Sequence, residues 1–168
     1  MTTLVVFSSR TGNTKLLAHG ICDAYEDAHL VHLVAAASLP EDLSAYDAVL
    51  LGFWCDRGKA PEDIEQAAAR IRGKRMGCFA TIGGDPQAEW ARQWMQKTSA
   101  ELAAKGGNTL EATFMCRGRI DPALFDQMTR MQGGVVTPER EARRAASETH
   151  PDRLDVIAAV KAFAGLIA

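Results

Sequence analysis

Short apolar runs alternate with segments of helical periodicity along the chain. The runs are rich in branched and aromatic side chains and predict strands, because a strand that is covered on both faces reads as a continuous apolar stretch. The predicted strands cover residues 4–7, 30–34, 47–53, 76–82 and 109–116. Apolar positions that recur at helical spacing, bounded by Pro and Gly signals, predict helices at residues 14–26, 61–71, 85–105, 122–131 and 153–167. The charged residues 138–147 are predicted to form one or two helical turns.

The alternation of strands and helices predicts an α/β fold. Consecutive strands that are separated by helices pair in parallel through right-handed crossovers. Five strands suit one three-layer sandwich, and the 168 residues are expected to form a single domain.

One connection is too long for a minimal sandwich. Residues 117–152, called the excursion below, separate the fifth strand from the last helix, where about 2–6 residues are usual. The excursion contains two predicted helices and the apolar residues Phe125, Met128, Met131, Val135 and Val136. This content favours a packed segment with a function, and a helix pair that only covers the edge of the sheet is the alternative.

Composition and charge exclude several classes of protein. The chain has 47% hydrophobic and 24% charged residues, which is ordinary for a globular protein. Its 19 Lys and Arg against 21 Asp and Glu give a net charge of −2, without the basic excess of a nucleic-acid binder. No apolar run reaches the roughly 20 residues of a membrane span, and the first residues do not resemble a signal peptide, so a cytoplasmic location is expected.

The four cysteines do not form a metal-binding pattern. Cys22, Cys55, Cys78 and Cys116 are too widely spaced for a zinc site, and two of them lie inside apolar runs. Free thiols, mostly buried, in a reducing compartment are expected. No metal ligands and no catalytic residues are assigned.

The loops that follow the first, third and fourth strands carry the candidate chemistry, because open parallel sheets bind ligands beyond the carboxyl ends of their strands. Loop 1, residues 8–14, has four hydroxyl side chains, an amide and Gly12, and it leads into a helix. Backbone N–H groups and hydroxyls at such a helix start suit a phosphate. An ordinary capped helix start is the alternative.

The other two loops suggest a flat ligand. Loop 3, residues 52–61, places Trp54 just after the most apolar strand, either as a stacking platform or as the edge of the core. Loop 4, residues 81–86, contains Gly83 and Gly84, which let backbone amides approach a ligand. A tight turn capped by Asp85 is the alternative for loop 4.

Together and in this order, the three loops resemble those of the flavodoxin family. The phosphate loop of that family has the form [Ser/Thr]-x-Thr-Gly-x-[Thr/Ser], and residues 9–14 match it fully. The resemblance covers the whole chain. It implies a flavodoxin-like three-layer sandwich, with a five-stranded parallel sheet of order 2-1-3-4-5 and with FMN as the cofactor.

The resemblance also implies which residues bind FMN. The phosphate would be held by Ser9, Arg10, Thr11, Gly12, Asn13 and Thr14. One face of the isoalloxazine would be flanked by Phe53, Trp54, Cys55, Asp56, Arg57, Gly58 and Lys59. Its other edge would meet the backbone of Thr81, Ile82, Gly83, Gly84, Asp85 and Pro86.

The chain also departs from the familiar carriers of this family. Those proteins are strongly acidic, whereas this chain is nearly neutral and has Arg57 and Lys59 beside the expected flavin. Loop 4 lacks the tyrosine that commonly stacks on the flavin. The excursion resembles segments of small flavodoxin-like proteins and of flavodoxin-like porphyrinogen oxidases.

The main expectation is an FMN-binding protein that passes electrons between protein redox partners. The alternative is a flavodoxin-like flavoenzyme that acts on a small flat organic substrate, a quinone or a tetrapyrrole of the porphyrinogen type. A third hypothesis is a signalling module without flavin, although its first strand ends in serines rather than in the acidic residues of a phospho-acceptor.

Overall fold

In a computed structural model, residues 1–25 and 31–167 are described, and they form an α/β sandwich. The strands are β1 (Thr3–Phe7), β2 (Val31–Ala35), β3 (Ala48–Trp54), β4 (Arg75–Ile82) and β5 (Thr109–Arg117). The helices are α1 (Asn13–Asp23), α2 (Glu62–Arg70), α3 (Glu89–Lys105), α4 (Pro122–Met131), α5 (Pro138–Ser147) and α6 (Arg153–Ile167). A short 3-10 turn, Ala36–Ser38, follows β2.

The five strands pair in parallel in the order β2-β1-β3-β4-β5. The predicted fold and strand order are therefore confirmed. Side chains alternate across β1, so that Leu4 and Val6 face the layer of α2 and α3 while Val5 faces the layer of α1 and α6. Both faces of the sheet are covered, which explains the continuous apolar runs of its central strands.

The predicted boundaries hold to within one or two residues for most elements. The largest difference is at α3, which begins at Glu89 rather than at residue 85. The carboxylate of Asp85 accepts the N–H of Gln87 at 2.9 Å, and Ala88 N donates to Asp85 O, so that residues 85–88 form a turn before the helix starts. The first helix was predicted to extend to Glu26, but α1 ends at Asp23, so this prediction is wrong for residues 24 and 25. Glu26 itself and the predicted strand start at Leu30 lie outside the described residues.

The excursion forms two helices, as predicted. Asp121 caps α4 by accepting the N–H of Leu124, and Thr137 caps α5 by accepting the N–H of Arg140. We call α4, α5 and their connection (residues 122–147) the hairpin. In these two helices only Thr129 and Ser147 are buried, so that the hairpin projects from the sandwich with little of its own surface covered.

Candidate functional site

The three candidate loops meet at the carboxyl edge of the sheet. For the strand order 2-1-3-4-5, of which flavodoxin is the standard example, ligands bind where the order reverses, beside β1 and β3. Loop 1 follows β1, loop 3 follows β3 and loop 4 follows β4. Loop 1 is therefore central, with loops 3 and 4 on the same side of β1.

Loop 1 turns sharply into α1 through Gly12. Its φ of +100° is a left-handed conformation that a Cβ would disfavour, and an added Cβ would have open space around it. Among the residues that the structure describes, no side chain caps the start of α1. The N–H groups of the first turn are thus left for an external acceptor, at the positive end of the helix dipole.

Two predicted phosphate ligands in loop 1 have other partners. Thr14 is buried, and its Oγ1 lies 2.8 Å from Oγ1 of Thr81, so its hydroxyl joins loop 1 to the end of β4. The side chain of Asn13 bonds to the backbone of Arg119 in the excursion. Ser9 accepts the N–H of Gly12 at 3.2 Å, while Arg10 and Thr11 are exposed at the surface of the loop.

Loop 3 is a tight turn that is fixed to the body of the protein. Asp56 and Lys59 exchange backbone hydrogen bonds of 2.9 and 3.0 Å, across Arg57 and Gly58, which both have left-handed φ values as such a turn requires. The indole N–H of Trp94 in α3 donates to Gly58 O at 3.1 Å. This bond holds the tip of loop 3 against α3.

Trp54 borders a cleft between loops 1 and 3. The guanidinium of Arg10 lies over the Trp54 ring, 5.6 Å from its centroid, within the range of a cation–π contact. The cleft has a volume of about 540 Å³, and its lining residues are Ser8, Ser9, Arg10, Trp54, Asp56, Pro61, Glu62, Asp63 and Gln66. It joins loops 1 and 3 to the start of α2, and loop 4 lies outside its lining.

Loop 4 approaches both an aromatic ring and the excursion. A Cβ on Gly84 would lie 3.2 Å from the ring of Trp90, and a Cβ on Gly83 would lie 3.0 Å from Ile120. Trp90 is 55% exposed. The sequence places this ring shortly after loop 4, in the first turn of the following helix, but it is not among the residues that the resemblance assigns to FMN.

Charges of both signs surround the loops, since Asp56, Glu62 and Asp63 line the cleft beside Arg10. Arg57 and Lys59 are exposed, and Arg57 Nε contacts its neighbour Asp56 at 3.2 Å. On the other side, Arg117 at the end of β5 lies 3.5 Å from the carboxylate of Asp85 and donates to Gly84 O at 3.3 Å. Arg117 therefore braces loop 4, which could not be foreseen from its place in the sequence.

The thiol of Cys55 in loop 3 is held in its neutral form. Burial raises its pKa, and the carboxylate of Asp56 adds to this, while a backbone N–H from Gly58 acts in the opposite direction. A neutral thiol is a weak nucleophile. Cys78 and Cys116 are buried, and all four cysteines are free, as the sequence predicts.

These contacts connect the candidate loops to each other and to the excursion. Thr14 and Thr81 join loop 1 to loop 4, Arg10 and Trp54 join loop 1 to loop 3, and Gly83 and Ile120 join loop 4 to the excursion. Loop 1 and the uncapped N–H groups of the first turn of α1 form a site suited to an anion, called the anion cradle below. The ring of Trp54 lies beside it.

Comparison with known proteins decides the family. A sequence model of the Flavodoxin domain matches residues 4–164. The chain belongs to the flavodoxin family. The predicted family is therefore confirmed.

Relatives with sequence similarity carry the same domain. The flavodoxin-like domain-containing protein BilS of Clostridioides difficile (strain CD3) is 27% identical over 163 residues, which cover 93% of this chain and 90% of that protein. The BilS protein of Clostridium symbiosum (strain WAL-14163) is 26% identical over 174 residues, covering 92% and 90% of the two chains.

Solved structures show the same fold. Oxidised flavodoxin 2 of Bacillus cereus superposes with a TM-score of 0.61 at 20% identity, covering 98% of this chain and 99% of that one. Within the described residues of this family member, no helix has the length and apolar character needed to cross a membrane.

Proposed function

We propose that this chain binds FMN and carries electrons between protein redox partners. The observation that carries the proposal is the start of α1 after Gly12, where no side chain caps the helix and hydroxyl groups lie nearby. This helix start lies at the point where the strand order of the flavodoxin-like sheet reverses. Such a site suits the dianionic phosphate of FMN, since backbone N–H groups, hydroxyls and the helix dipole all favour negative charge there.

The residues of the site fit the parts of FMN. The first-turn N–H groups of α1, with the hydroxyls of Ser9 and Thr11, would hold the phosphate. Thr14 would contribute its backbone, because its hydroxyl is bonded to Thr81. Trp54 would cover one face of the isoalloxazine, and the backbone of residues 81–86 would meet its other edge, with Trp90 available as a second aromatic group.

FMN supplies the one- and two-electron redox chemistry, and the protein binds it, shields it and sets the charge around it. The cations of Arg57 and Lys59 would favour the anionic reduced flavin through charge pairing. The proposed transfer requires no general acid or base. We further propose that residues 1–168 form one domain that works in the cytoplasm, in agreement with its four free cysteines.

The first experiment is to add FMN to the apoprotein and to record the absorption and tryptophan fluorescence. We expect two bound-flavin bands and quenching of the fluorescence, with a smaller quenching and a weaker affinity in Trp54→Ala. Met131→Ala is the control, since this side chain is 79% exposed and lies in the hairpin, outside loops 1, 3 and 4. An unchanged FMN affinity in Trp54→Ala would show that the Trp54 ring belongs to the edge of the core and does not stack on the flavin.

A flavoenzyme is the second candidate. It is favoured by the exposed apolar side chains of the hairpin, Met128, Met131, Val135 and Val136, which could border a flat organic substrate. Turnover of a quinone or a porphyrinogen by the FMN-loaded protein, with or without NAD(P)H and in the absence of a partner reductase, would establish this activity. No turnover under these conditions would favour the electron carrier.

A further inference from the structure

The start and the end of the excursion are joined at one place beside loop 1. The N–H of Arg119 donates to His150 O at 2.8 Å, and the N–H of Ile120 donates to Ser147 Oγ at 3.0 Å. The N–H of Gly118 donates to Ile82 O, at the end of β4, at 2.8 Å. We call residues 118–120 and 147–150 the base of the excursion.

Asn13 ties this base to loop 1. Its Nδ2 donates to Arg119 O at 2.9 Å, and its Oδ1 accepts the N–H of Arg119 at 3.2 Å. The side-chain amide thus contacts both backbone polar groups of one residue across 106 positions of sequence, and it shares the N–H of Arg119 with His150 O, which is the nearer acceptor. The second hydrogen of Nδ2 is directed to Thr11 Oγ1, at 3.4 Å, on the loop side.

Asn13 belongs to the anion cradle at the same time. It is the first residue of α1 and follows Gly12, so its backbone N–H is one of the uncapped donors of that helix. An anion that fixes the first turn of α1 also fixes the position from which the Asn13 side chain reaches the excursion.

The contact between Asn13 and the excursion leaves no spare room. A Cβ on Gly118 would lie 2.7 Å from Nδ2 and 2.9 Å from Cγ of Asn13. Distances under about 3 Å are repulsive for carbon atoms. An alanine at position 118 would therefore displace the side chain of Asn13 from this contact.

The hairpin depends on this base for its orientation. Apart from Thr129 and Ser147, the residues of α4 and α5 are exposed or half-buried, so that little packing holds the hairpin against the sandwich. Segments with so few buried contacts open with a small free energy. A displacement of the base by a fraction of an ångström would be carried outward along the hairpin.

We propose that Asn13 is a positioning residue that couples occupation of the phosphate site to the orientation of the hairpin. The inference rests on the proposed function, since the phosphate is that of FMN. With the phosphate bound, the first turn of α1 is fixed, the amide of Asn13 holds Arg119, and the base is closed. The FMN-loaded protein thereby presents its hairpin in a defined arrangement to a redox partner.

The coupling is reciprocal. If the phosphate closes the base, a closed base must raise the affinity for the phosphate by the same factor. Couplings of this kind are commonly about 5- to 150-fold. The phosphate is the part of the ligand that matters here, so riboflavin, which has the same ring system without the phosphate, is the natural comparison.

The test is amide hydrogen exchange of the full chain, alone and with saturating FMN, riboflavin or inorganic phosphate. We expect FMN to slow exchange in residues 118–120 and across the hairpin by about tenfold, within the usual range of such couplings, and riboflavin to leave it unchanged. Inorganic phosphate at high concentration should reproduce part of the FMN effect.

Variants distinguish the coupling from binding alone. In Asn13→Ala and Gly118→Ala, FMN added to saturation should bind with an affinity lowered by the coupling factor, and the bound FMN should no longer slow exchange in the hairpin. Gly118→Ala is informative because it changes the base without removing the amide from loop 1. Arg119→Ala is the matched control and should keep the effect, because Asn13 bonds to the backbone of this residue.

The outcomes separate the two proposals. If the wild-type protein binds no FMN, the proposed function fails and the coupling fails with it. If FMN binds but riboflavin slows hairpin exchange equally, or if the Asn13→Ala and Gly118→Ala proteins respond to FMN like the wild type, the coupling is wrong and the proposed function stands.

Discussion

At the scale of single residues, the hydroxyl pair of Thr14 and Thr81 joins two of the candidate loops. Both residues are buried, and the two oxygen atoms lie 2.8 Å apart. A buried hydroxyl without a partner costs about 1–3 kcal/mol, whereas two apolar groups of the same shape cost little. The pair is therefore expected to contribute to the stability of the fold rather than to bind a ligand directly.

We predict that Thr14→Val lowers the free energy of unfolding by about 1–3 kcal/mol, because it leaves the Thr81 hydroxyl unpaired. Urea denaturation measures this change. The double variant Thr14→Val/Thr81→Val is the control and should recover most of the loss. A double variant that loses the full sum of both single changes would show that the two hydroxyls do not act as a pair.

At the scale of secondary structure elements, the arginines of the hairpin divide into two groups. Arg140 donates to Thr129 Oγ1 at 3.1 Å and to Val135 O at 3.3 Å, and its guanidinium lies 5.0 Å from the centre of the Phe125 ring. Arg144 pairs with Glu141 at 2.6 Å within α5. Arg130 and Arg143 are exposed and take part in none of the ion pairs found among the described residues.

We predict that Arg140→Ala loosens the hairpin while the sandwich stays folded. The loss of two hydrogen bonds and a ring contact, about 1–2 kcal/mol, should raise the rate of thermolysin cleavage within residues 122–147 by about 5- to 30-fold. Arg143→Ala is the matched control and should leave cleavage unchanged. Equal cleavage of both variants would show that Arg140 does not join α4 to α5.

The two exposed arginines, Arg130 and Arg143, are the cations of the hairpin that are suited to contact an acidic partner protein. We predict that Arg130→Glu/Arg143→Glu slows electron exchange with an acidic redox partner and leaves the FMN affinity intact, and that added salt reduces the difference. Stopped-flow kinetics at two ionic strengths measure it. A rate that is independent of both the charges and the salt would assign these arginines to the surface alone.

Most of the elements could be predicted well, because they have a strong apolar pattern; the charged segment of α5 is the exception. The patterns of β4, α4 and α6 extend over the length of the element, and their predicted bounds agree with the structure to within a residue. The start of α3 was predicted wrongly because Asp85 and Pro86 are equally good signals for a turn and for a helix start.

The site could be predicted only as far as local motifs reach. Loop 1 is continuous in sequence and matches a known pattern, so its place and its turn at Gly12 followed from the sequence. The contacts of Asn13 with Arg119 and of Thr14 with Thr81 span 106 and 67 positions. Such pairings depend on how β4 and β5 align beside β1, and no periodicity in the sequence records them.

At the scale of the whole molecule, α6 packs closely on the central strands. A Cβ on Gly77 of β4 would lie 2.6 Å from Leu50, 2.8 Å from Phe163 and 2.9 Å from Leu166. The side chains of Phe163 and Leu166 in α6 therefore occupy the space that a side chain at position 77 of β4 would need. By contrast, a Cβ on Gly165 of α6 would meet nothing within 4 Å.

We predict that Gly77→Ala lowers the free energy of unfolding by about 1–3 kcal/mol through overpacking. Gly165→Ala, the same change at an open helical position, should be neutral or should raise it by up to about 1 kcal/mol. Urea denaturation of both variants gives the comparison. Equal stabilities would contradict the close packing of α6 against β4.

The ratio of FMN to riboflavin affinity tests the anion cradle of loop 1 most directly. Each charge-assisted hydrogen bond to the phosphate is worth about 1.5–3 kcal/mol, so two or more should make FMN bind at least about 100-fold more tightly than riboflavin. Thr11→Ala should reduce that ratio while leaving the riboflavin affinity unchanged. Equal affinities for FMN and riboflavin in a fluorescence titration of the wild-type protein, or no binding of either, would show that loop 1 does not hold the phosphate of FMN.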